Sequence, residues 1–241
     1  MEKEERISLM ANVDKNEIDN FDQHASEWWN PRGPYKMLHK LNPLRLKYIG
    51  DKIDISGKAV LDIGCGGGIL SEELSKKGAT VYSIDASEKT IRIAKDHAKE
   101  SNLEINYQCC TLDQFIKKNK IKFDCIICFE LIEHVPDPEQ LLSDISKITK
   151  KDSDLFLSTI NRNIESFLLA KVVAEYILRI VPKGTHEYDK FLKPSEVSSI
   201  LTGLNFKIDE IKGMILNIFT NDFELSKFTN INYFVHAKKN K

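Results

Sequence analysis

The sequence has no excess of charge of one sign and no long apolar run. Its 241 residues include 35 Lys and Arg against 36 Asp and Glu, which gives a formal net charge of -1. A chain this close to neutral is not expected to bind nucleic acid, nor to be held on anionic lipid by charge alone. No stretch reaches the roughly 18 apolar residues that a transmembrane helix requires.

The chain also lacks a leader pattern and a complete set of metal-binding cysteines. It starts MEKEERISLM, which is charged and has no apolar h-region, so we expect no secretory signal. Cys125 and Cys128 form a CxxC pair inside an apolar run, but a second pair with matching spacing is missing. The pattern favours buried, reduced thiols over a zinc site, for the adjacent Cys109 and Cys110 as well as for this pair. We therefore expect a soluble, cytoplasmic protein.

Short apolar runs alternate with amphipathic stretches from Lys58 onward. Such alternation is typical of an α/β fold, with a parallel sheet covered by helices on both faces. Strands are predicted over 59–63, 80–84, 105–109, 123–129 and 154–159, helices over 69–77, 88–101, 112–120 and 139–149, and two final strands over 206–211 and 231–237. A sheet of this kind binds ligands beyond the carboxyl ends of its strands.

Two further helical regions flank this core. Residues 12–53 show apolar positions at helical spacing, and a second helix is predicted there with Asn42 as N-cap and Pro43 at its first position. Residues 160–205 are predicted to form a helical cap insertion. The domain organisation that we predict is an N-terminal helical segment over 1–55, packed on an α/β domain over 56–241.

The strongest chemical signal is the segment VLDIGCGGG, residues 60–68, where a buried strand leads into a glycine-rich turn and then a helix. Glycines such as Gly64 and Gly66 let the backbone turn sharply and let a ligand approach closely. The N-terminus of the following helix offers N–H donors and partial positive charge. Asp85 follows Gly64 by 21 residues, at the end of the second strand, where a carboxylate can accept hydrogen bonds from ribose hydroxyls. The segment predicts a nucleoside-cofactor site.

The loop departs from a dinucleotide fingerprint, because the sixth position counted from Gly64 is Ile69 rather than glycine. Asp62 precedes Gly64 by two residues and would hold the loop through backbone amides or meet a cationic group. It is poorly placed beside a pyrophosphate. A cofactor with an ammonium group, a sulfonium and a ribose suits Asp62 and Asp85 better than a nicotinamide dinucleotide does, although a nicotinamide-dependent dehydrogenase is kept as a rival.

Several blocks of the sequence resemble the ubiquinone-biosynthesis O-methyltransferase family of class I S-adenosylmethionine-dependent methyltransferases. The blocks are NVDKNEIDNF, ASEWWNPRG, LHKLNPLRLKYI, the glycine loop, ELIEHVPDP, STINRN and AEYILRIVPKGTH. The resemblance implies a Rossmann-like fold with a seven-stranded, mostly parallel sheet, and S-adenosylmethionine as cofactor. It also implies both O-methylations of polyprenyl-catechol and demethylubiquinol intermediates, and a complex with other enzymes of ubiquinone biosynthesis.

The resemblance assigns several cofactor contacts. Gly64 and Asp85 match the family's contacts at the loop and ribose. Arg45 matches an arginine that reaches the methionyl part of the cofactor. Phe129 stands where relatives often have methionine against the adenine, and an aromatic ring can provide the same apolar contact.

The candidates for acceptor chemistry are Glu130, Glu133 and His134, which follow the fourth strand directly. If a helical turn starts at Glu130, all three lie on one face. They could then hold a divalent cation that bridges catechol oxygens, and the resemblance implies magnesium. Alternatively, His134 acts as the general base, with Glu133 beside it. In the third alternative, these three residues have a purely structural role at the capped start of a helix.

An apolar segment over Phe167–Val181 is the remaining feature. Its only charged residues are Lys171, Glu175 and Arg179, which form one narrow stripe on a helix. The segment is too short to span a bilayer. It could pack within the cap, contact a second subunit, or lie on the inner face of the membrane, where the family's polyprenylated substrate is found.

Rival functions remain at this point. A class I fold could instead methylate another small aromatic, RNA or a protein. The near-zero charge and the lack of an Asn-Pro-Pro-Tyr motif weigh against the last two. A lipid-associated scaffold that retains a relic cofactor site is the non-enzymatic alternative.

Overall fold

The computed structural model describes residues 12–163, 191–217, 220 and 222–240. Their strands are β1 (Ala59–Ile63), β2 (Thr80–Asp85), β3 (Asn106–Cys109), β4 (Phe123–Phe129), β5 (Thr149–Ile160), β6 (Phe206–Asn217), β7 (Asp222–Ser226) and β8 (Asn232–Lys239). They form one sheet in the order β3-β2-β1-β4-β5-β8-β6-β7. The first five are parallel, while β8, β6 and β7 join by antiparallel pairing.

Seven α-helices surround this sheet in the described part of the chain. They are α1 (Lys15–Asp22), α2 (Lys36–Gly50), α3 (Ile69–Lys76), α4 (Glu88–Glu100), α5 (Leu112–Lys118), α6 (Pro138–Ile148) and α7 (Pro194–Gly203). Two 3-10 turns, Ala25–Glu27 and Ile132–His134, complete the set. The predicted Rossmann-like α/β fold is confirmed, but with eight strands instead of seven. The additional strand, β7, pairs only with the extended second half of β6.

The predicted start of α2 is wrong. The helix begins at Lys36, and Pro43 lies inside it. A proline within a helix removes one N–H donor and crowds the preceding turn. Here the helix continues because its inner face buries Leu41, Leu44 and Tyr48 against the sheet. Helix formation in proteins depends more on such packing than on local propensity.

The core lies on both faces of the sheet, as expected for parallel strands covered by helices. Along β4, Ile126 and Cys128 face one apolar cluster, while Cys125 and Ile127 face the other. The prediction of buried thiols is confirmed for these two cysteines. It is wrong for Cys109, which is exposed at the end of β3.

This topology places the functional edge of the sheet. β1 is flanked by β2 on one side and β4 on the other, so the strand order reverses there. Ligands of open α/β sheets bind at such a switch point, outside the carboxyl ends of the strands. Residues 164–190, which make up most of the predicted cap over 160–205, lie outside the described residues. The apolar segment Phe167–Val181 is among these undescribed residues. In the part of the chain that the structure describes, no helix is long and apolar enough to cross a membrane.

Candidate active site

A cavity of about 410 Å³ opens at the switch point, between the glycine loop, the strand ends and the N-terminal segment. All nine residues predicted for the site contribute to its lining. They are Arg45, Asp62, Gly64, Gly66, Asp85, Phe129, Glu130, Glu133 and His134. The structure therefore brings these predicted residues together around one cavity, and the local geometry decides what each group can do.

Asp85 holds the glycine loop through backbone hydrogen bonds. Gly66 N–H donates to its Oδ2 at 2.9 Å, and Ser87 N–H donates to its Oδ1 at 2.9 Å. Gly66 has φ +52°, a left-handed conformation that glycine adopts at no steric cost. Burial raises the pKa of Asp85, and the two N–H donors act in the opposite direction. The carboxylate is thus fixed at the cavity wall, where its oxygens can accept further hydrogen bonds.

Two tryptophans of the N-terminal segment pack on the loop. The Trp28 ring packs on Gly66 and Gly67 so closely that no side chain fits at either position. The Trp29 indole N–H donates to the carbonyl oxygen of Gly67 at 2.9 Å, and its ring stacks on His97 with centroids 3.4 Å apart. The N-terminal segment and the glycine loop are therefore packed as one unit.

Asp62 lies below the loop as a buried acid. Its Oδ2 accepts a hydrogen bond from Ser71 Oγ at 2.6 Å. Burial raises its pKa from the ordinary value of 3.8 to about 6, against the opposing effects of Ser71 and of the Arg45 charge. A cationic ligand close to Asp62 would favour the ionised form.

Arg45 reaches the cavity from α2 and pairs with Glu130. Its guanidinium carbon lies 5.5 Å from the centroid of the Phe129 ring. Burial lowers the pKa of Arg45 to about 10. Its Nε is buried and has no hydrogen-bond partner among the residues described. A buried donor without a partner is costly, and a ligand oxygen at this place would satisfy it.

Glu130 adopts a strained backbone conformation at the end of β4, with φ +46°. Ser158 on β5 holds it there, because Glu130 N–H donates to the Ser158 carbonyl oxygen at 3.1 Å and Ser158 Oγ donates to Glu130 Oε1 at 2.6 Å. Strain of this kind persists where the surroundings fix it, and it is concentrated at functional sites.

Glu133 and His134 lie at the acceptor side of the cavity, in the 3-10 turn Ile132–His134. Glu133 is buried and accepts a hydrogen bond from Thr159 Oγ1 at 3.0 Å, and burial raises its pKa. His134 Nδ1 lies 3.2 Å from Oε2 of Glu17 on α1. Phe21, one turn further along α1, presents its ring to the imidazole at 5.6 Å and 83°.

The expected metal grouping of Glu130, Glu133 and His134 is not formed. The turn that would align them starts after Glu130, and the three side chains are engaged in separate places, by Arg45, Thr159 and Glu17. Within the described ranges, no three His, Cys, Asp or Glu side chains come together in a way that could hold a metal ion. As positioned here, these residues do not fit a magnesium ion.

Comparison with known proteins decides the family. The sequence pattern of a methyltransferase domain matches residues 35–211. A ubiquinone biosynthesis O-methyltransferase from Coxiella burnetii is 45% identical over 222 residues, covering 92% of this chain and 94% of the relative. Enzymes of the same name from Salmonella enteritidis (43% identity, 98% of each chain) and Hahella chejuensis (41% identity, 97% and 98%) also match. The chain belongs to the ubiquinone biosynthesis O-methyltransferase family.

Solved structures of more distant methyltransferases share the fold. Magnesium protoporphyrin IX methyltransferase from Synechocystis, with bound SAH, has a TM-score of 0.62 at 21% identity, covering 88% of this chain and 87% of that one. A SAM-dependent methyltransferase from Thermotoga maritima, a possible histamine N-methyltransferase, has a TM-score of 0.63 at 17% identity, covering 92% and 98%.

Sequence reasoning missed several residues that line the cavity of this methyltransferase. Glu17, Phe21 and Tyr35 reach it from the N-terminal segment, and Leu131 packs against Gly64. The block NVDKNEIDNF contains Glu17 and Phe21 and resembles the family, but its position over the cavity depends on contacts more than 100 residues away along the chain. No local pattern shows such contacts.

Proposed function

We propose that this methyltransferase transfers the methyl group of S-adenosylmethionine to hydroxyl oxygens of polyprenyl-catechol and demethylubiquinol intermediates, at both O-methylation steps of ubiquinone biosynthesis. The observation that carries the proposal is one cavity that joins the Asp62 and Asp85 carboxylates to the Glu133–His134 turn. The identity of 41–45% to relatives named for this pathway supports the choice of substrate.

The cofactor would lie along the strand ends. Asp85 would accept hydrogen bonds from the ribose hydroxyls, and Gly64 and Gly66 line the same cavity beside it. The Nε of Arg45, which has no hydrogen-bond partner among the described residues, would donate to the methionyl carboxylate. Asp62 supplies negative charge for the ammonium and sulfonium end, and the Phe129 ring supplies the apolar contact to the adenine that the resemblance implies.

The bound cofactor supplies an already activated methyl group, so the protein needs to align the acceptor and remove its proton. Direct displacement requires no protein nucleophile. His134 would accept the proton of the acceptor hydroxyl as its oxygen attacks the methyl carbon in line. The buried Glu133 carboxylate beside it stabilises the imidazolium that forms. Alignment within one enclosed cavity provides much of the acceleration.

The magnesium requirement implied by the resemblance stays a prediction, and we assign no step to a metal. We also keep four other predictions. They are the lipid contact of Phe167–Val181, the location on the inner face of the membrane, the complex with pathway enzymes and the division of the chain at residue 55. A polyprenyl tail on the substrate favours the lipid contact. Such a tail lies in the bilayer, so the enzyme must bind the substrate at the membrane surface.

The proposal is tested by turnover of a short-chain catechol analogue and a demethylubiquinol analogue by the full chain, with and without exhaustive chelation. We expect methylation of both acceptors. Activity that survives chelation would exclude an obligatory metal. Binding of NAD without binding of S-adenosylmethionine in calorimetry would instead favour the dehydrogenase alternative.

A further inference from the structure

We infer that Glu17 is a positioning residue for His134. The inference rests on the proposed function, because it assigns the way in which the general base is oriented for proton removal. Glu17 Oε2 lies 3.2 Å from His134 Nδ1. A carboxylate only accepts hydrogen bonds, so Nδ1 carries a proton, and in the neutral imidazole the lone pair that accepts the substrate proton then lies on Nε2.

Helix α1 contacts the imidazole at two points. Glu17 and Phe21 are four residues apart and therefore lie on the same helix face. Glu17 engages Nδ1, and the Phe21 ring meets the imidazole nearly at a right angle. The hydrogen bond selects the tautomer, while the aromatic contact limits the tilt of the ring. Both Glu17 and His134 are largely shielded, with side-chain exposures of 17% and 22%, so water competes weakly for their hydrogen bond.

The helix is anchored so that these contacts are held in register. Asn12 Nδ2 donates to the Asp137 carbonyl oxygen at 2.8 Å, and Asp137 N–H donates to Asn12 Oδ1 at 2.7 Å. Asp14 caps the helix by accepting from Asn16 N–H at 3.0 Å. The Tyr35 hydroxyl donates to the Phe21 carbonyl oxygen at 2.7 Å. The start of α1 is thus fixed to the loop that directly follows His134, and its end is fixed to the segment before α2.

Glu133 also acts on His134 electrostatically, but its Oε2 accepts from Thr159 Oγ1. The two acids therefore have separate tasks. Glu133 contributes charge next to the imidazole, and Glu17 selects the nitrogen that bears the proton.

The test is Glu17→Gln, which keeps the size of the side chain but adds an amide donor that permits the opposite tautomer. A positioned general base contributes about 100- to 10000-fold, so we expect kcat to fall at least about tenfold, with little change in the cofactor Kd or the acceptor KM. Asp19→Asn is the matched control, because Asp19 is exposed on the same helix and loses the same charge. We expect it to retain wild-type kcat.

A double-mutant cycle separates positioning from a purely structural role. In a His134→Gln background, Glu17→Gln should have no further effect on kcat. Full additivity of the two losses would overturn the inference, as would wild-type kcat in Glu17→Gln alone.

An activity-independent readout is the ¹⁵N NMR spectrum of the histidine side chains, with the His134 signals assigned by their loss in His134→Gln. We expect the Nδ1–H tautomer in the wild type and a changed signal in Glu17→Gln. The same tautomer in both proteins would overturn the inference. If the wild type methylates neither acceptor analogue, the proposed function fails, and the spectrum still decides whether Glu17 sets the tautomer of His134.

Discussion

The Trp28 ring and the Gly67 backbone pack so closely that a Cβ atom at position 67 would lie 2.2 Å from Trp28 Cδ1. Trp28 is buried at 6% exposure and stacks on Tyr35 with ring centroids 4.0 Å apart. The absence of a side chain at Gly67 is therefore what lets the N-terminal segment pack on the glycine loop.

Substitution Gly67→Ala should destabilise the protein by about 1–3 kcal/mol, because the new methyl group overlaps a buried ring that cannot move without repacking. Urea unfolding measures this difference. Gly50→Ala is the control, since a Cβ atom at position 50 meets nothing within 4 Å, and we expect it to be neutral or slightly stabilising. In a Trp28→Ala background, the penalty of Gly67→Ala should largely disappear. An undiminished penalty there would show that Trp28 is not the cause.

Replacement Asp85→Asn should weaken S-adenosylmethionine binding by about 10- to 100-fold, since hydrogen bonds to a charged group contribute about 1.5–3 kcal/mol. Isothermal titration calorimetry gives the Kd directly. Glu88→Gln is a nearby exposed control and should bind as the wild type does. Unchanged affinity in Asp85→Asn would remove this carboxylate from the cofactor site.

The raised pKa of Asp62 predicts a specific pH dependence of stability. In the folded protein this pKa is about 6, above its ordinary value of 3.8. The stabilisation that comes with the bound proton is complete below about pH 4 and is lost as the pH rises through about 6. Relative to Asp62→Asn, the free energy of unfolding of the wild type should fall across this window by about 3 kcal/mol. Chemical unfolding of both proteins at several pH values measures it, and a constant difference would contradict the assignment.

Magnesium should not raise the melting temperature of the protein without substrates, because Glu130, Glu133 and His134 are engaged separately. A folded state that binds a ligand at one hundred times its Kd gains about 2.7 kcal/mol, which calorimetry would detect. A clear rise in melting temperature with magnesium, abolished by Glu133→Gln, would show that the three side chains rearrange into a site.

The parts of the fold that follow from local patterns could be predicted. The strand–glycine loop–helix of residues 59–76 and the acid at the end of β2 depend on periodicity, on glycine conformation and on sequence spacing. Because parallel strands end at one edge of the sheet, the prediction of a parallel sheet is enough to place Asp62, Asp85 and Glu133 at that same edge.

Features that depend on contacts distant in the sequence could not be predicted. Strand β7 has a short, mixed sequence and is defined by its pairing with β6. The start of α2 is set by burial of Leu41 and Leu44, which outweighs the usual preference of proline for a first turn. The contact between Glu17 and His134 joins residues 117 positions apart.

The most direct test of the account uses S-adenosylmethionine with a deuterated methyl group. The full chain is incubated with this cofactor and either a short-chain catechol or a demethylubiquinol analogue, and the products are analysed by mass spectrometry. We predict that the intact labelled methyl group appears on a hydroxyl oxygen of each acceptor, and that Asp85→Asn slows its transfer at limiting cofactor. Tight cofactor binding with no labelled O-methyl product from either acceptor would contradict the account.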